Sequence, residues 1–250
     1  MAVEDASQLV VFLSGTSYIA VGIYLLQKAA KTRGRPEFYL GLAFLCNGIS
    51  YAFSELPFVA NLESRIEEFS YLGRIWAGGC AFTIALFTWR VFRSHAAWAR
   101  GLVAGTAALI VAGLAVSALE GDWEGLTPLT HVGFWLDWAG GIAPFLWLSI
   151  EASRQYRVAR RRIALGLIDP LVCNRFLLIA IYATLASTTY LLLIPMYIVY
   201  EIHGTWSAGL NLSLGLLEIA SLIALTISFY VPAFYRRWIG GTEREAPPAA

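Results

Sequence analysis

The sequence predicts an all-α integral membrane protein, a seven-transmembrane helix bundle with its N-terminus outside and its C-terminus in the cytoplasm. Three observations support this fold class. The chain of 250 residues is 58% hydrophobic and 14% charged, whereas soluble domains carry about 25% charged residues. Seven stretches reach the roughly 20 mostly apolar residues that cross a bilayer. The basic residues between these stretches are distributed unevenly, which predicts an orientation.

The seven predicted spans follow one another with short connections. The first comes after the acidic segment MAVEDASQ, which lacks the basic start of a cleaved signal peptide, so we expect this span to be retained. The second ends near Pro57, and charged clusters bound the third to the fifth. The sixth is long enough to tilt or to bend at Pro195. The spans cover residues 8–27, 38–58, 69–92, 98–119, 131–152, 171–199 and 207–235.

The fourth span carries a stripe of small residues at helical spacing, formed by Gly101, Gly105, Ala108 and Ala112. Small side chains let two helices approach closely within a membrane. We expect this stripe to pack against another helix of the same chain, with dimerisation as the alternative.

The charges assign the two sides of the membrane. All but two of the 18 Lys and Arg residues fall on one side of the predicted topology, the exceptions being Arg65 and Arg74. The opposite side is acidic. Because basic connections stay in the cytoplasm, we expect one seven-helix domain over residues 1–238 in the plasma (inner) membrane. A short disordered cytoplasmic tail is expected over residues 239–250.

Several predicted spans contain ionisable groups, which are costly in a bilayer and therefore indicate a functional site. Glu218 lies near the middle of the seventh span, and Asn211, Ser221 and Ser228 share its helix face. The fifth span places Asp137 towards the outside and Glu151 near the inner end.

The second and third spans add further polar groups to the outer half of the predicted bundle. The second contributes Asn47, Tyr51 and Glu55, and the third contributes Arg74. We expect Arg74 to pair with Glu55 or Asp137. Glu218 is expected to be neutral and hydrogen-bonded to Asn47 or a hydroxyl group, because an isolated charge is costly to bury.

These polar groups and nearby aromatic residues form the predicted ligand-binding or proton-relay site. Aromatic walls combined with a few convergent polar groups are typical of ligand pockets. The candidate residues are Asn47, Tyr51, Glu55, Arg74, Trp135, Asp137, Trp138, Glu151, Tyr190, Asn211 and Glu218.

Other classes of site have little support in the sequence. Cys46, Cys80 and Cys173 lack metal-ligand spacing, and no catalytic motif is present. We therefore expect no metal, no cofactor and no enzymatic activity. An outer-face metal site using His131 and His203 is a remote alternative. The arginines adjoin apolar spans, so no surface suited to nucleic acid is expected.

A seven-span topology with an external N-terminus is shared by microbial rhodopsins, G-protein-coupled receptors and the sensor regions of bacterial signalling proteins. Topology alone does not assign a function. The chain has only two lysines, Lys28 and Lys31, both in the first inner connection. The usual Schiff base between retinal and a lysine of the seventh span is therefore not expected. Beyond the topology, no specific family is recognised.

The sequence leaves three functions open. The leading hypothesis is a receptor-like or sensor-like protein that binds a small ligand or a proton and signals to a protein partner. The arginine-rich inner segment from Arg154 to Arg162 would contact that partner, although setting the topology also accounts for its charge. The first alternative is a proton or proton-coupled transporter that uses Asp137, Glu218 and Glu151 as a carboxylate ladder. The second is an accessory subunit of a larger membrane complex.

Overall fold

The computed structural model describes residues 2–163, 165–205, 207–230 and 235. Within them the chain forms seven α-helices and a short 3-10 turn over Glu63–Arg65, and these residues contain no strand. The helices are α1 Ala2–Thr32, α2 Arg35–Val59, α3 Ile66–Phe92, α4 Ala97–Glu120, α5 Val132–Ile163, α6 Pro170–His203 and α7 Ala208–Phe229. The all-α class is confirmed. The predicted tail over 239–250 lies outside the described residues.

Four of the described helices are long and apolar enough to cross a membrane: α3, α4, α6, and the Gly209–Phe229 part of α7. Among the residues that could be compared in this way, α1, α2 and α5 are not candidates. Helix α5, for example, includes Asp137, Glu151 and a run of arginines towards its end. The chain thus has the character of a helical membrane protein.

Specific signals in the sequence set the helix ends. Asp169 caps α6 by accepting a hydrogen bond from the Leu171 backbone N–H, and Pro170 follows at the first helical position. Helices α4 and α6 end at Gly121 and Gly204, which adopt the left-handed conformation that glycine tolerates. Helix α6 continues through Pro195 without interruption.

The helices form a closed ring in which each packs against its neighbours in the chain, and α1 packs against α7. In addition, α3 contacts α5, which leaves α4 at the periphery. Because short connections join successive helices, neighbouring helices are antiparallel. Connections 60–65, 121–131 and 204–207 therefore share one end, called the acidic end below. Connections 33–34, 93–96 and 164–169 share the other, called the arginine-rich end.

The apolar core fills the arginine-rich half of the bundle. Its fully buried side chains come from six of the helices, α4 excepted, and pack in one cluster. Members that are at most 1% exposed include Leu25, Phe44, Ile84, Phe87, Leu148 and Leu225. This packing positions the polar residues of the acidic half above an apolar base.

The small-residue stripe of α4 lies elsewhere than expected. Gly101 and Gly105 are exposed, and a Cβ atom added at either would meet no atom within 4 Å. The expectation that these two glycines pack within the chain is therefore wrong. Because α4 is peripheral, the opposite face of this helix meets the bundle, through residues such as Gly113 against the Asp137 backbone.

Candidate functional site

A cavity of about 310 Å³ occupies the acidic half of the bundle. All seven helices contribute to its wall, and the 121–131 connection closes part of its acidic end. Seven of the predicted site residues line it: Asn47, Tyr51, Arg74, Asp137, Trp138, Tyr190 and Glu218. Polar groups that are scattered along the sequence thus share one cavity.

Arg74 of α3 joins three parts of the structure. Its Nε donates to the Asp137 Oδ2 atom at 3.2 Å, and Nη2 lies 3.2 Å from the same oxygen. Nη2 also donates to the Ser117 hydroxyl at 2.9 Å. Nη1 donates to the carbonyl oxygens of Asp122 and Trp123 at 3.0 and 3.3 Å. Each of the three guanidinium nitrogens thus donates at least one hydrogen bond, four in all, and Nη2 adds an ion-pair contact. Of the two predicted carboxylates, Asp137 is the partner.

The 121–131 connection is held in place from several sides. The Asp122 carboxylate accepts hydrogen bonds from the backbone N–H groups of Gly125 and Leu126. The Glu120 carboxylate caps the start of α5, and Glu201 of α6 binds the Leu129 backbone N–H at 2.8 Å. The connection therefore forms an ordered cover over the Arg74 side of the cavity.

Glu218 of α7 faces the cavity from the side opposite this cover. It is half-buried because one side of its carboxyl group meets the cavity space. The Tyr51 hydroxyl lies within hydrogen-bonding reach of this carboxyl group. Among the residues that the structure describes, none pairs a basic side chain with Glu218. A hydroxyl group is therefore close to Glu218, whereas no described basic side chain compensates its charge.

Tyrosine side chains form much of the cavity wall. Tyr18 of α1 stacks on Tyr51 of α2 with ring centroids 5.9 Å apart. Helix α6 adds Tyr182, Tyr190 and Tyr197. Tyr18, Tyr182 and Tyr197 are not among the site residues predicted from the sequence. The last two lie eight residues before and seven after Tyr190, a spacing that places all three on one helix face and could have revealed them.

Glu124, a further residue not predicted from the sequence, lies at the acidic end of the cavity in the 121–131 connection. Burial raises the pKa of its carboxyl group, and the nearby carboxylates of Glu67 and Asp122 raise it further. Three acidic side chains are thus grouped at this end, in addition to Asp137 and Glu218 inside.

Four predicted residues lie outside the cavity wall, and three of them are near the acidic end. Glu55 is half-buried on α2 but does not line the cavity. Trp135 is 40% exposed, and its indole N–H donates to the Pro128 carbonyl oxygen at 2.8 Å. Asn211 lies in the first turn of α7, where its backbone N–H binds the Ser207 carbonyl oxygen.

Glu151 is separated from the cavity and lies near the arginine-rich end. It is 4% exposed, and its Oε1 atom accepts a 2.7 Å hydrogen bond from the Arg93 Nε group. This bond raises the pKa of the Arg93 guanidinium. Leu148, Leu222 and other apolar core residues lie in the half of the bundle between the cavity and this pair. The structure therefore brings Asp137 and Glu218 together and leaves Glu151 apart.

Metal binding has no geometric support in the part of the chain that the structure describes, since no three His, Cys, Asp or Glu side chains converge there. His131 is hydrogen-bonded to the hydroxyl groups of Thr127 and Thr130.

Comparison of the chain with protein-family models, with curated proteins and with solved structures finds no match. The functional proposal below therefore rests on the geometry of the site.

Proposed function

We propose that this chain is a seven-transmembrane sensor of the inner membrane that binds a small ligand in the cavity of its acidic half. The observation that carries the proposal is the cavity itself. Its volume of about 310 Å³ is at the lower end of the range for ligand pockets, and its wall combines aromatic rings with a few polar groups. Because every helix contributes to the cavity wall, a bound ligand would contact all seven helices. A change in their packing could then transmit a signal.

The proposed topology has the N-terminus outside and the C-terminus in the cytoplasm. The charges in and beside the connections support it, since most of the described basic residues, Arg160, Arg161 and Arg162 among them, lie at the arginine-rich end, and Asp122 and Glu124 lie at the acidic end. With this orientation the cavity lies in the outer half of the membrane, and α1, α2 and α5 cross the bilayer beside the four more apolar helices.

Helix α5 supports transmission of a signal to a cytoplasmic partner. Its 32 residues extend for about 48 Å, which exceeds the hydrocarbon thickness of about 30 Å. Asp137 and Trp138 of α5 line the cavity, while Arg154, Arg157 and Arg161 are exposed near its other end. One continuous helix thus joins the proposed ligand site to a basic surface suited to an acidic partner.

The packing favours a sensor over the proton-transport alternative. A relay from Glu218 to Glu151 needs a wetted path, but the half of the bundle between them is filled by the apolar core. Glu151 is also engaged by Arg93. Binding in a closed-ended cavity accounts for this arrangement without a path through the core.

The accessory-subunit alternative has one observation in its favour. The outward stripe on α4, with Gly101, Gly105 and Ala108 exposed, offers a surface on which a helix of another protein could pack closely. Gly105→Leu would then release the chain from its complex in native gel electrophoresis. The sensor hypothesis expects this substitution to leave ligand binding unchanged.

A thermal-shift screen of small polar compounds against the protein in nanodiscs tests the sensor proposal. Ala77 lines the cavity on α3, so Ala77→Leu would fill part of it. Ala104 is exposed on α4, so Ala104→Leu is the matched control. We expect compounds that raise the melting temperature of the wild type and of Ala104→Leu but not of Ala77→Leu. A screen with no compound that depends on Ala77 would contradict the proposal.

A further inference from the structure

We propose that the ligand of this cavity is a small organic cation, an ammonium compound whose charge is bound by Glu218 and whose body lies against the aromatic wall. This inference rests on the proposed function, because it names the chemical class of ligand for the same site. Four features of the cavity support it: its charge balance, the contacts that already engage Arg74, the lack of a described basic partner at Glu218, and the chemistry of its wall.

The charge balance of the cavity favours a cation. Its wall contains three carboxylates, those of Glu124, Asp137 and Glu218, and Arg74 is the only basic side chain among the described residues that line it. A cationic ligand would reduce this excess of negative charge, whereas an anionic ligand would increase it.

Arg74 is not available to bind an anion. All three of its nitrogens donate hydrogen bonds, to Asp137, to Ser117 and to two backbone carbonyl groups. An anion that approached the guanidinium would face the Asp137 carboxylate at close range. The guanidinium therefore stabilises the bundle and leaves Glu218 as the charged group open to a ligand.

Glu218 requires a partner when it is ionised. A carboxylate taken out of water is stabilised only by pairing or by hydrogen bonds, and the Tyr51 hydroxyl is the nearby group that can donate one. None of the described basic side chains pairs with it. A proton or a cationic ligand can supply the missing positive charge, and the cavity beside the carboxyl group leaves space for a ligand.

The wall of the cavity has the chemistry of a cation site. Aromatic rings attract ammonium groups that lie within about 6 Å of their centroids, and quaternary ammonium compounds are recognised in this way. Tyr18, Tyr51, Tyr182, Tyr190, Phe145 and Trp138 line the cavity. Four tyrosines, Tyr18, Tyr51, Tyr190 and Tyr197, lie near enough to interact with the Glu218 charge.

The acidic end of the molecule would assist the approach of a cation. Glu124 lies at this end of the cavity, and the carboxylates of Glu67 and Asp122 are close to it. A surface of one charge sign raises the local concentration of ligands of the opposite sign. The charges at the acidic end and those inside the cavity therefore favour the same class of ligand.

Choline and its neutral carbon isostere, in which a quaternary carbon replaces the nitrogen, provide the test. Binding of each to the full chain in nanodiscs is measured by calorimetry. We expect choline to bind at least about tenfold more tightly than the isostere, as one cation–π or ion-pair contact in a desolvated site implies. Glu218→Gln should reduce the affinity for choline by about tenfold or more and leave the isostere unaffected. Glu55→Gln, at a carboxylate outside the cavity, is the matched control.

The other outcomes separate this inference from the proposed function. If choline and the isostere bind equally well, and Ala77→Leu removes both, the cavity binds ligands but is not selective for cations. If choline binds and Glu218→Gln has no effect, the assignment of Glu218 is wrong. If neither choline nor tetramethylammonium binds, the inference is overturned, while the compound screen with Ala77→Leu still decides whether the cavity binds another ligand. Thermal melting of each variant confirms that it is folded.

Discussion

Arg74 is the residue that holds the acidic end of the bundle together. Its side chain and that of Asp137 are only 12% and 22% exposed, and its remaining contacts reach α4 and the 121–131 connection. Removing one member of a largely buried ion pair leaves the other charge without compensation. The stability of this end should therefore depend on the pair as a unit.

We expect Arg74→Met to lower the free energy of unfolding in micelles by about 3 kcal/mol, because it leaves the Asp137 carboxylate unpaired. Combining it with Asp137→Leu should restore part of the loss, since the unpaired carboxylate is then also removed. Arg65→Met is the control. Its pair with Glu68 is 62% and 59% exposed, so the loss there should be less than about 1 kcal/mol. Equal losses at Arg74 and Arg65 would contradict this role.

Gly125 is a second residue on which the cover of the cavity depends. It has a φ of +69°, and a Cβ atom at this position would lie 2.5 Å from the Arg74 Cζ atom. Gly121 in the same connection has a φ of +78° but open space around it. The two glycines share the backbone conformation and differ in their surroundings.

We therefore expect Gly121→Ala to cost about 1 kcal/mol, the cost of placing a side chain in the left-handed region. Gly125→Ala should cost more than Gly121→Ala, because Arg74 must also move away from its partners. Denaturant unfolding in micelles measures both losses. If the two variants unfold alike, the contact between Gly125 and Arg74 does not contribute to the stability of the cover.

At the scale of the elements, glycines determine where helices meet. A Cβ atom at Gly22 of α1 would lie 2.7 Å from the Leu45 backbone nitrogen of α2, and one at Gly41 would lie 2.9 Å from the Leu26 backbone nitrogen. These two helices thus pack backbone to backbone. The glycines of the α4 stripe face outward instead.

We expect Gly22→Ala to destabilise the protein by about 1–3 kcal/mol, because the added methyl group can be accommodated only if the α1 and α2 backbones separate. Gly101→Ala should have no effect or raise stability slightly, since alanine is the better helix former. Both are measured by thermal melting in one detergent. A Gly22→Ala variant as stable as the wild type would contradict the close approach of α1 and α2.

The helix ends and the site residues differ in how well they could be predicted from the sequence. Apolar runs predicted seven helices, but hydropathy follows only their apolar parts, so the arginine-rich end of α5 was missed although arginine favours helix. Asp137 and Glu218 could be predicted as site residues because a charged residue is conspicuous in an apolar run. Tyr18 and Tyr182 could not, because a tyrosine in an apolar run resembles an ordinary core residue. In a membrane protein the lipid-facing and core-facing sides are both apolar, so the rotation of α4, and hence the position of Gly101, could not be derived.

At the scale of the whole molecule, the bundle is divided into two halves of different chemistry. The acidic half contains the cavity and its polar wall, and the arginine-rich half contains the apolar core. The described basic residues lie mainly at the arginine-rich end, while Asp122 and Glu124 lie at the acidic end. The proposed orientation follows from this asymmetry, and it places the cavity towards the outside, where a sensor would meet its ligand.

Cysteine labelling in intact bacterial cells tests this orientation. Ser64 and Ser94 are exposed and lie just before and just after α3, whereas the native cysteines Cys46, Cys80 and Cys173 are all buried. We expect a membrane-impermeant maleimide to label Ser64→Cys in intact cells and Ser94→Cys only after permeabilisation, with little labelling of the wild type. The reverse pattern would invert the topology and place the cavity towards the cytoplasm. Labelling of both positions from one side would mean that α3 does not cross the membrane, and the seven-span arrangement would have to be abandoned.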